Sequence, residues 1–268
     1  MTSLPAVLVD LPDCSVEEIR RLESLQEQIG YRFSNPALLR VALTVGSWAN
    51  EHKAQPWPSN ACLEFLGDAV LDLVAADALW QQFPELGEGP LTRLRSSMVS
   101  EPSLVQGAKK LDLGAWLWVG KGDEQKGARE RHGTLADALE AVLGAVFLDA
   151  REKQESPIHA AGLLFHTVFG ERLRDLKSSD GLDVKSQLQQ RVQAAIKRTP
   201  VYVVDGETPP PDSPSWRARV EVHHEAARVE VLGRGEGRSL RDAERAAAKD
   251  AIERWEEPIT PSRKGGRG

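Results

Sequence analysis

Acidic side chains recur at helical spacing in two otherwise apolar stretches of the sequence. The stretch "NACLEFLGDAVLDLVAADALW" at 60–80 carries Glu64, Asp68 and Asp72, each four residues after the last. The stretch "LADALEAVLGAVFLDA" at 135–150 carries Asp137 and Glu140, three residues apart. Spacings of three and four place side chains on one face of a helix. Taken alone, the stripe of Glu64, Asp68 and Asp72 is most simply the solvated face of an otherwise buried helix.

Two such helices packed side by side would bring Glu64, Asp68, Asp137 and Glu140 together. Clustered carboxylates repel one another and become partly protonated unless a cation neutralises them. A hard divalent cation such as Mg²⁺ prefers oxygen ligands and combines a few carboxylates with substrate phosphate oxygens. It can activate a bound water and stabilise the attacking and leaving oxygens of a phosphodiester. The pattern therefore favours phosphodiester hydrolysis.

Helices are predicted throughout the first 175 residues, and they would position these acids. In "CSVEEIRRLESLQEQIG", Ser15 and Glu18 form a capping box and Gly30 marks the end of the helix. In "NPALLRVAL", Asn35 is the cap and Pro36 the first helical residue. No run in this part alternates convincingly with period two, so we expect an all-α domain.

The pattern changes after "KSSDGLD". The segments "PVYVVDGE", "SWRARVEVHH" and "AARVEVLGRGEG" favour strands, and helical segments precede and follow them, which predicts an α-β-β-β-α unit. The final segment, "PITPSRKGGRG", has the composition of a disordered tail. The predicted organisation is an N-terminal extension at 1–14, a helical domain at 15–175, a linker at 176–181, an α+β domain at 182–256 and a basic tail at 257–268.

Composition excludes several classes of protein. The start of the chain has no positively charged leader, and no apolar run is long enough to cross a membrane, so we expect a cytoplasmic protein without a membrane partner. Cys14 and Cys62 have neither CxxC spacing nor a Cys/His cluster, which argues against disulfides and zinc. The net charge is −6, but basic and acidic residues balance within 182–256. A polyanionic partner remains compatible, because it responds to a local patch.

Several motifs carry a resemblance to the ribonuclease III family. "LEFLGDAVL" resembles its signature, commonly written N-E-R-L-E-F-L-G-D-S-V-L, and "VGKGDEQKGARERHGTLADALEAVLGAVFLD" is similar to its second conserved block. "FPELGEGPLTRLRSSMVSEPSLVQGAKKLDLG" is similar to the connecting region, and the α-β-β-β-α unit resembles the double-stranded-RNA-binding domain of bacterial members. The resemblance extends over residues 15–256. It implies a helical nuclease domain at 15–175 and an α+β RNA-binding domain at 182–256.

The resemblance also implies a chemistry. The family's metal ligands fall on Glu64, Asp68, Asp137 and Glu140, with Asp68 and Glu140 catalytic and Glu140 closest to the reaction. The implied metal is Mg²⁺, with Mn²⁺ able to substitute. The implied reaction is cleavage of both strands of double-stranded RNA during rRNA and mRNA maturation and decay, leaving 5′-phosphate and 3′-hydroxyl ends with short 3′ overhangs. No small-molecule substrate is expected.

Other acids and one aromatic residue have competing interpretations. Glu88 matches an acidic position lining the family's catalytic valley, but it is also an ordinary charge at a helix N-terminus. Asp72 has no family role and stays a solvated acid. Family members are homodimers paired through the signature helix, and Phe65 matches an aromatic that packs into the partner; its alternative is plain intrachain core. A symmetric dimer would supply one site per RNA strand.

In the second domain, the resemblance implies contacts to a duplex that is recognised by shape, through its minor groove and its phosphates. The "SLRDAER" segment resembles the family's Ser-Lys-Lys-x-Ala-Glu phosphate motif, with Leu240 in place of the first Lys and Arg238 as a partial replacement. The β1-β2 loop, "TPPPDSPSW", lacks the family's His, and its Asp212 would repel phosphate. The predicted RNA-binding residues are Gln189, Gln190, Arg238, Ser239, Arg241, Arg245 and Lys249.

Two departures bear on activity. Ala61 and Cys62 stand where the signature usually has Glu and Arg, and Val45 and Gly46 stand where the family usually has His and Arg. Losing such neighbours of a metal site commonly costs 10- to 100-fold in activity or metal affinity, although losing a charged set together can be nearly neutral. The alternative function is therefore a double-stranded-RNA-binding regulator or structural ribonucleoprotein component with weakened cleavage.

Overall fold

The computed structural model describes residues 8, 11–54, 57–206, 209, 215–224 and 228–254, apart from the side chain of Ser179. The chain divides into two compact units, residues 1–178 and 179–268. The predicted tail at 257–268 and Asp212 of the β1-β2 loop lie outside the described residues. Within the described ranges, no helix combines the length and apolar character that a membrane crossing requires.

The first unit is helical, as the sequence predicts. Ser15 and Glu18 form the expected capping box, Gly30 ends the first helix with a φ of 70°, and Asn35 caps the second helix ahead of Pro36. Its α-helices, in chain order, are α1 (Val16–Ile29), α2 (Pro36–Ala42), α3 (Gly46–Glu51), α4 (Ala61–Gln82), α5 (Glu88–Met98), α6 (Glu101–Lys110), α7 (Leu113–Trp116), α8 (Lys121–Glu124), α9 (His132–Glu152) and α10 (Pro157–Asp175).

Helix α9 lies at the centre of this unit. It packs against α4 along much of its length and also contacts α2, α6 and α10. Its middle, represented by Val142, Ala145 and Val146, is fully buried. A helix that is apolar almost all round is buried on most sides. The two apolar stretches of the sequence thus become the central helix pair.

A buried carboxylate ties the end of α9 to the α1-α2 connection. Asp149 is fully buried and accepts hydrogen bonds from the Tyr31 hydroxyl (2.9 Å), the Ser34 backbone N–H (3.0 Å) and the Asn35 backbone N–H (2.8 Å). The Ser34 hydroxyl donates a fourth bond, at 2.9 Å. These donors satisfy a charge that would otherwise be costly to bury.

Arg40 of α2 is also buried, beside the segment that leads to α4. Its Nε donates to Glu18 Oε1 at 3.1 Å, and its guanidinium also donates to the Thr44 hydroxyl. Burial lowers the pKa of Arg40 to about 10, and the carboxylate of Glu18 opposes that shift. Three indole rings surround the guanidinium, with centroids 3.6 to 4.9 Å away: Trp118, Trp48 and Trp57.

The second unit has the expected α-β-β-β-α order. Its strands form one antiparallel sheet in which the strands lie in chain order, with a register shift at Val220/Glu221. Ala218, Val220 and Val222 of the second strand alternate toward a small core that the two helices cover. The elements are α11 (Val184–Ile196), β1 (Val201–Val204), β2 (Trp216–His223), β3 (Val229–Gly237) and α12 (Leu240–Glu253).

Candidate active site and RNA interface

The crossing of α4 and α9 brings acids from both helices together. Glu64 of α4 and Asp137 and Glu140 of α9 each offer a carboxylate oxygen, and these oxygens lie within 4.8 Å of one another. Asp68, one turn further along α4, is exposed and lies outside this group. Its assignment as a fourth metal ligand stays a prediction.

The environment of the cluster opposes ionisation. Burial raises the pKa of Glu140 to about 7, and Asp68, Glu64 and Asp137 reinforce the shift. Burial also raises the pKa of Glu64, with Asp137 and Asp68 adding to it. The pKa of Asp137 is raised by burial, opposed by a backbone hydrogen bond and increased by the nearby Glu101. When these carboxyl groups are ionised, they repel one another, and a bound cation would relieve that repulsion.

This donor set fits a hard divalent cation. It consists of carboxylate oxygens held on two long helices, and it contains none of the sulfur or imidazole ligands that softer metals prefer. Glu101, at the first residue of α6, is an additional acid near Asp137 that the sequence analysis did not single out. Glu101 belongs to neither apolar stretch and lies 36 residues before Asp137 in the chain, so no helical spacing connects it to the other acids.

The other acids considered from sequence lie elsewhere. Asp72 is half-exposed and pairs with Arg95 of α5, with 3.6 Å between Oδ1 and Nε, so it links two helices and is not merely solvated. Glu88 is the first residue of α5 and accepts a long hydrogen bond of 3.4 Å from the Thr92 hydroxyl. That position agrees with a helix N-terminal charge. A role for Glu88 in a catalytic valley stays a prediction.

The two departures from the family pattern come together in space. The backbone N–H of Asn60 donates to the carbonyl of Thr44 at 2.8 Å. Val45 and Gly46 directly follow Thr44, and Ala61 and Cys62 directly follow Asn60. The substituted positions therefore flank one backbone contact at the start of α4, and a compensation between them stays a prediction.

The predicted phosphate-binding residues form an exposed face of α12. Arg241, Arg245 and Lys249 are all exposed along one stripe. Ser239 caps the helix by accepting from the Asp242 backbone N–H at 3.1 Å. Lys249 also lies 3.7 Å from Glu253. Cations at this spacing can follow a phosphate backbone.

The predicted minor-groove residues lie on α11, beside two further polar side chains. Gln189 and Gln190 are exposed and line a shallow groove together with Gln193 and Lys197. Gln193 and Lys197 continue the face of Gln189 at steps of four residues. The helical spacing in "QLQQRVQAAIK" places these residues on the same face of the helix, although the family motif does not include them.

Comparison with known proteins decides the family. The Ribonuclease-III-like model matches residues 35–161, and the Double-stranded RNA binding motif matches residues 184–254. Ribonuclease 3 of Syntrophotalea carbinolica is 40% identical over 240 residues, which cover 90% of this chain and 99% of that protein. This chain belongs to the ribonuclease III family.

Other ribonuclease III proteins agree. Ribonuclease 3 of Bacillus velezensis is 38% identical over 244 residues, covering 91% of this chain and 94% of that protein. The crystal structure of the nuclease domain of the Campylobacter jejuni ribonuclease III superposes with a TM-score of 0.50 at 34% identity, covering 57% of this chain and 96% of that one. As a ribonuclease III with both domains, this protein is an endoribonuclease of double-stranded RNA.

Proposed function

We propose that the protein is a Mg²⁺-dependent endoribonuclease, with Mn²⁺ able to substitute, that cuts both strands of an RNA duplex. The products would be 5′-phosphate and 3′-hydroxyl ends with short 3′ overhangs. The observation that carries the proposal is the group of carboxylate oxygens within 4.8 Å on Glu64, Asp137 and Glu140. rRNA and mRNA maturation and decay would supply the substrates, and the expected cytoplasmic location stays a prediction.

Each unit would contribute separate interactions. Glu64, Asp137 and Glu140, with Asp68 beside them, would hold the metal, which when bound supplies an activated water and stabilises the charge of the phosphodiester transition state. The long helices keep these carboxylates in place, so little reorganisation is needed at the moment of reaction. Apolar side chains such as Leu143 and Phe165 lie beside Glu140 on its inner side and shield it from water.

The RNA-binding unit would select the duplex by shape. Amides of Gln189 and Gln190 can donate and accept hydrogen bonds, which suits the 2′-hydroxyls of the minor groove. Arg241, Arg245 and Lys249 would neutralise phosphates. Because neither set of contacts identifies bases, we expect duplex geometry and not sequence to dominate substrate choice.

We further propose that the protein acts as a homodimer paired through α4. Phe65 is 82% exposed, which rules out its alternative as intrachain core. Leu73 and Trp80 on the same helix are 48% and 69% exposed, and their spacing places all three on one face. An exposed apolar stripe of this kind marks an interaction surface, and a second copy would place one catalytic site at each RNA strand.

The alternative is a duplex-binding protein with weakened cleavage, favoured by the substitutions around Ala61 and Cys62. The test compares wild type with Glu140→Gln in Mg²⁺, using a long RNA duplex, with Asp77→Asn as a control exposed acid on α4. We expect Glu140→Gln to cut at least about 100-fold more slowly and Asp77→Asn to cut normally, with duplex binding retained by all three. Equal inactivity of wild type and Glu140→Gln, with binding intact, would establish the alternative.

A further inference from the structure

Two glycines lie where α4 crosses α9. Gly67 faces the carbonyl of Glu140, and Gly144 faces the carbonyl of Leu63, so the helices cross antiparallel at their closest approach. We propose that Gly67 and Gly144 are positioning residues of the active site: the absence of a side chain at each sets the distance between the helices and hence between the carboxylates. This proposal rests on the proposed metal-dependent function.

The contacts leave no room for a methyl group. A Cβ on Gly67 would lie 1.8 Å from the carbonyl oxygen of Glu140, and a Cβ on Gly144 would lie 2.3 Å from the carbonyl oxygen of Leu63. Both obstacles are backbone atoms, which cannot move aside by changing a rotamer. The first belongs to a carboxylate residue of the cluster, and the second belongs to the residue preceding Glu64.

A glycine in the middle of a helix is unfavourable for that helix, so its presence calls for a structural explanation. Each one costs about 1 kcal/mol relative to alanine, and both helices are otherwise rich in alanine and leucine. By contrast, a Cβ added to Gly133 of α9 or Gly162 of α10 would meet no atom of the described residues within 4 Å. The crowding is therefore not general to helical glycines of this unit, and at the crossing it comes from the backbone of the opposite long helix.

Adding a methyl group would separate the two halves of the cluster. Ordinary contact between a carbon and a carbonyl oxygen is about 3.3 to 3.6 Å, so α4 and α9 would have to move apart on the order of 1.5 Å at Gly67. Catalytic groups tolerate displacements of only about 0.5 Å, and Mg²⁺ demands near-ideal ligand geometry. Weaker metal binding should therefore accompany the change, beyond any loss of stability.

The experiment uses the full chain and the variants Gly67→Ala and Gly144→Ala. Mg²⁺ binding is measured by calorimetry without RNA, cleavage is measured across a Mg²⁺ titration, and duplex binding is measured in EDTA. Gly133→Ala serves as a control with open space. Gly107→Ala serves as a crowded control, because its Cβ would press on side chains of Val168, Leu139 and Phe169 and not on the backbone of the crossing.

We expect both crossing variants to weaken Mg²⁺ binding by about tenfold or more and to lower kcat, while duplex affinity and KM change less than roughly twofold. Gly133→Ala should match wild type. Gly107→Ala should melt at a lower temperature with Mg²⁺ affinity unchanged, which separates positioning from general destabilisation.

Three results would overturn the proposal: wild-type Mg²⁺ affinity in both crossing variants, an equal loss of affinity in Gly107→Ala, or failure of both crossing variants to fold even in the cold, which would indicate a purely structural role. A wild-type protein that neither binds Mg²⁺ nor cleaves duplexes would instead refute the proposed function. The two failures are therefore distinguishable.

Discussion

Glu140 combines burial with three acidic neighbours, and its pKa is raised to about 7. The family motif also identifies Glu140, but only its surroundings in the fold explain why its pKa is raised. In the metal-free protein, the pKa values of Glu64 and Asp137 are raised as well. The cluster is thus an unfavourable arrangement of charge that folding imposes and that metal binding would relieve.

This arrangement predicts a pH dependence of the metal-free protein. Because the folded pKa of Glu140 lies above its ordinary value of 4.5, the folded state holds the proton more tightly, so the associated stability is full below pH 4.5 and is lost as pH rises through about 7. With EDTA present, we expect wild type to lose about 2–4 °C in melting temperature relative to Glu140→Gln between pH 5 and pH 8. Melting curves that stay parallel across this range would contradict the assignment.

At the scale of elements, the start of α4 depends on contacts with distant segments. The carbonyl of Thr44 accepts from Asn60, and the Val45 N–H donates to Trp118 at 3.0 Å. These two hydrogen bonds form a junction of three chain segments. Arg40 lies next to this junction, with its guanidinium between Glu18 and the indole rings. Because Glu64 is in the first turn of α4, this junction anchors the helix end that carries it.

We expect Arg40→Met to lower the free energy of unfolding by about 3 kcal/mol, because it leaves Glu18 and Thr44 without their buried partner. Arg20→Met, at an exposed position on α1, should change stability by less than about 0.5 kcal/mol. Urea unfolding of both variants measures the difference. Equal stabilities would show that the hydrogen bonds from Arg40 to Glu18 and Thr44 contribute nothing net.

The stripe on α12 predicts a salt dependence. Arg245→Gln should weaken duplex binding and reduce the slope of log affinity against log salt concentration by about 1. Arg254 follows the last residue of α12, away from the stripe, and its Nε lies 2.7 Å from Asp250 Oδ1. Arg254→Gln should therefore retain the wild-type slope in the same titration, and an equal reduction in both variants would remove the stripe from the interface.

At the scale of the whole molecule, the proposed catalytic site and the proposed dimer interface both use α4. One side faces α9 and carries Glu64, while an exposed side carries Phe65, Leu73 and Trp80. Catalytic geometry and subunit pairing would therefore share one helix. Pairing through this stripe would relate the two catalytic sites by a two-fold axis.

Charged substitutions in the stripe should separate the subunits. We expect Phe65→Glu and Trp80→Glu each to weaken self-association by about 2 kcal/mol or more, because a charge would be buried in an apolar contact. Leu163 of α10 is 53% exposed and serves as the control position. Sedimentation velocity should show dissociation for the α4 variants and not for Leu163→Glu. A Phe65→Glu protein that sediments like wild type would refute pairing through this face.

Much of the fold and part of the site could be predicted from sequence. The capping box of Ser15 and Glu18, the Asn35 cap and the change from helical to strand periodicity all depend on residues a few positions apart, so a linear pattern contains them. Helical spacing and then the family motifs likewise identify the acidic residues of the carboxylate cluster.

Only the tertiary structure decided how these local features combine. It placed three carboxylates in one group and Asp68 outside it, paired Asp72 with Arg95, and gave Glu18 a second role beside Arg40. It also brought Gly67 against the backbone of Glu140. Capping and periodicity act within one or two helical turns, whereas the distance between two helices depends on packing between residues far apart in the chain. The sequence by itself therefore determined which side chains are available for the chemistry, and packing determined their separation.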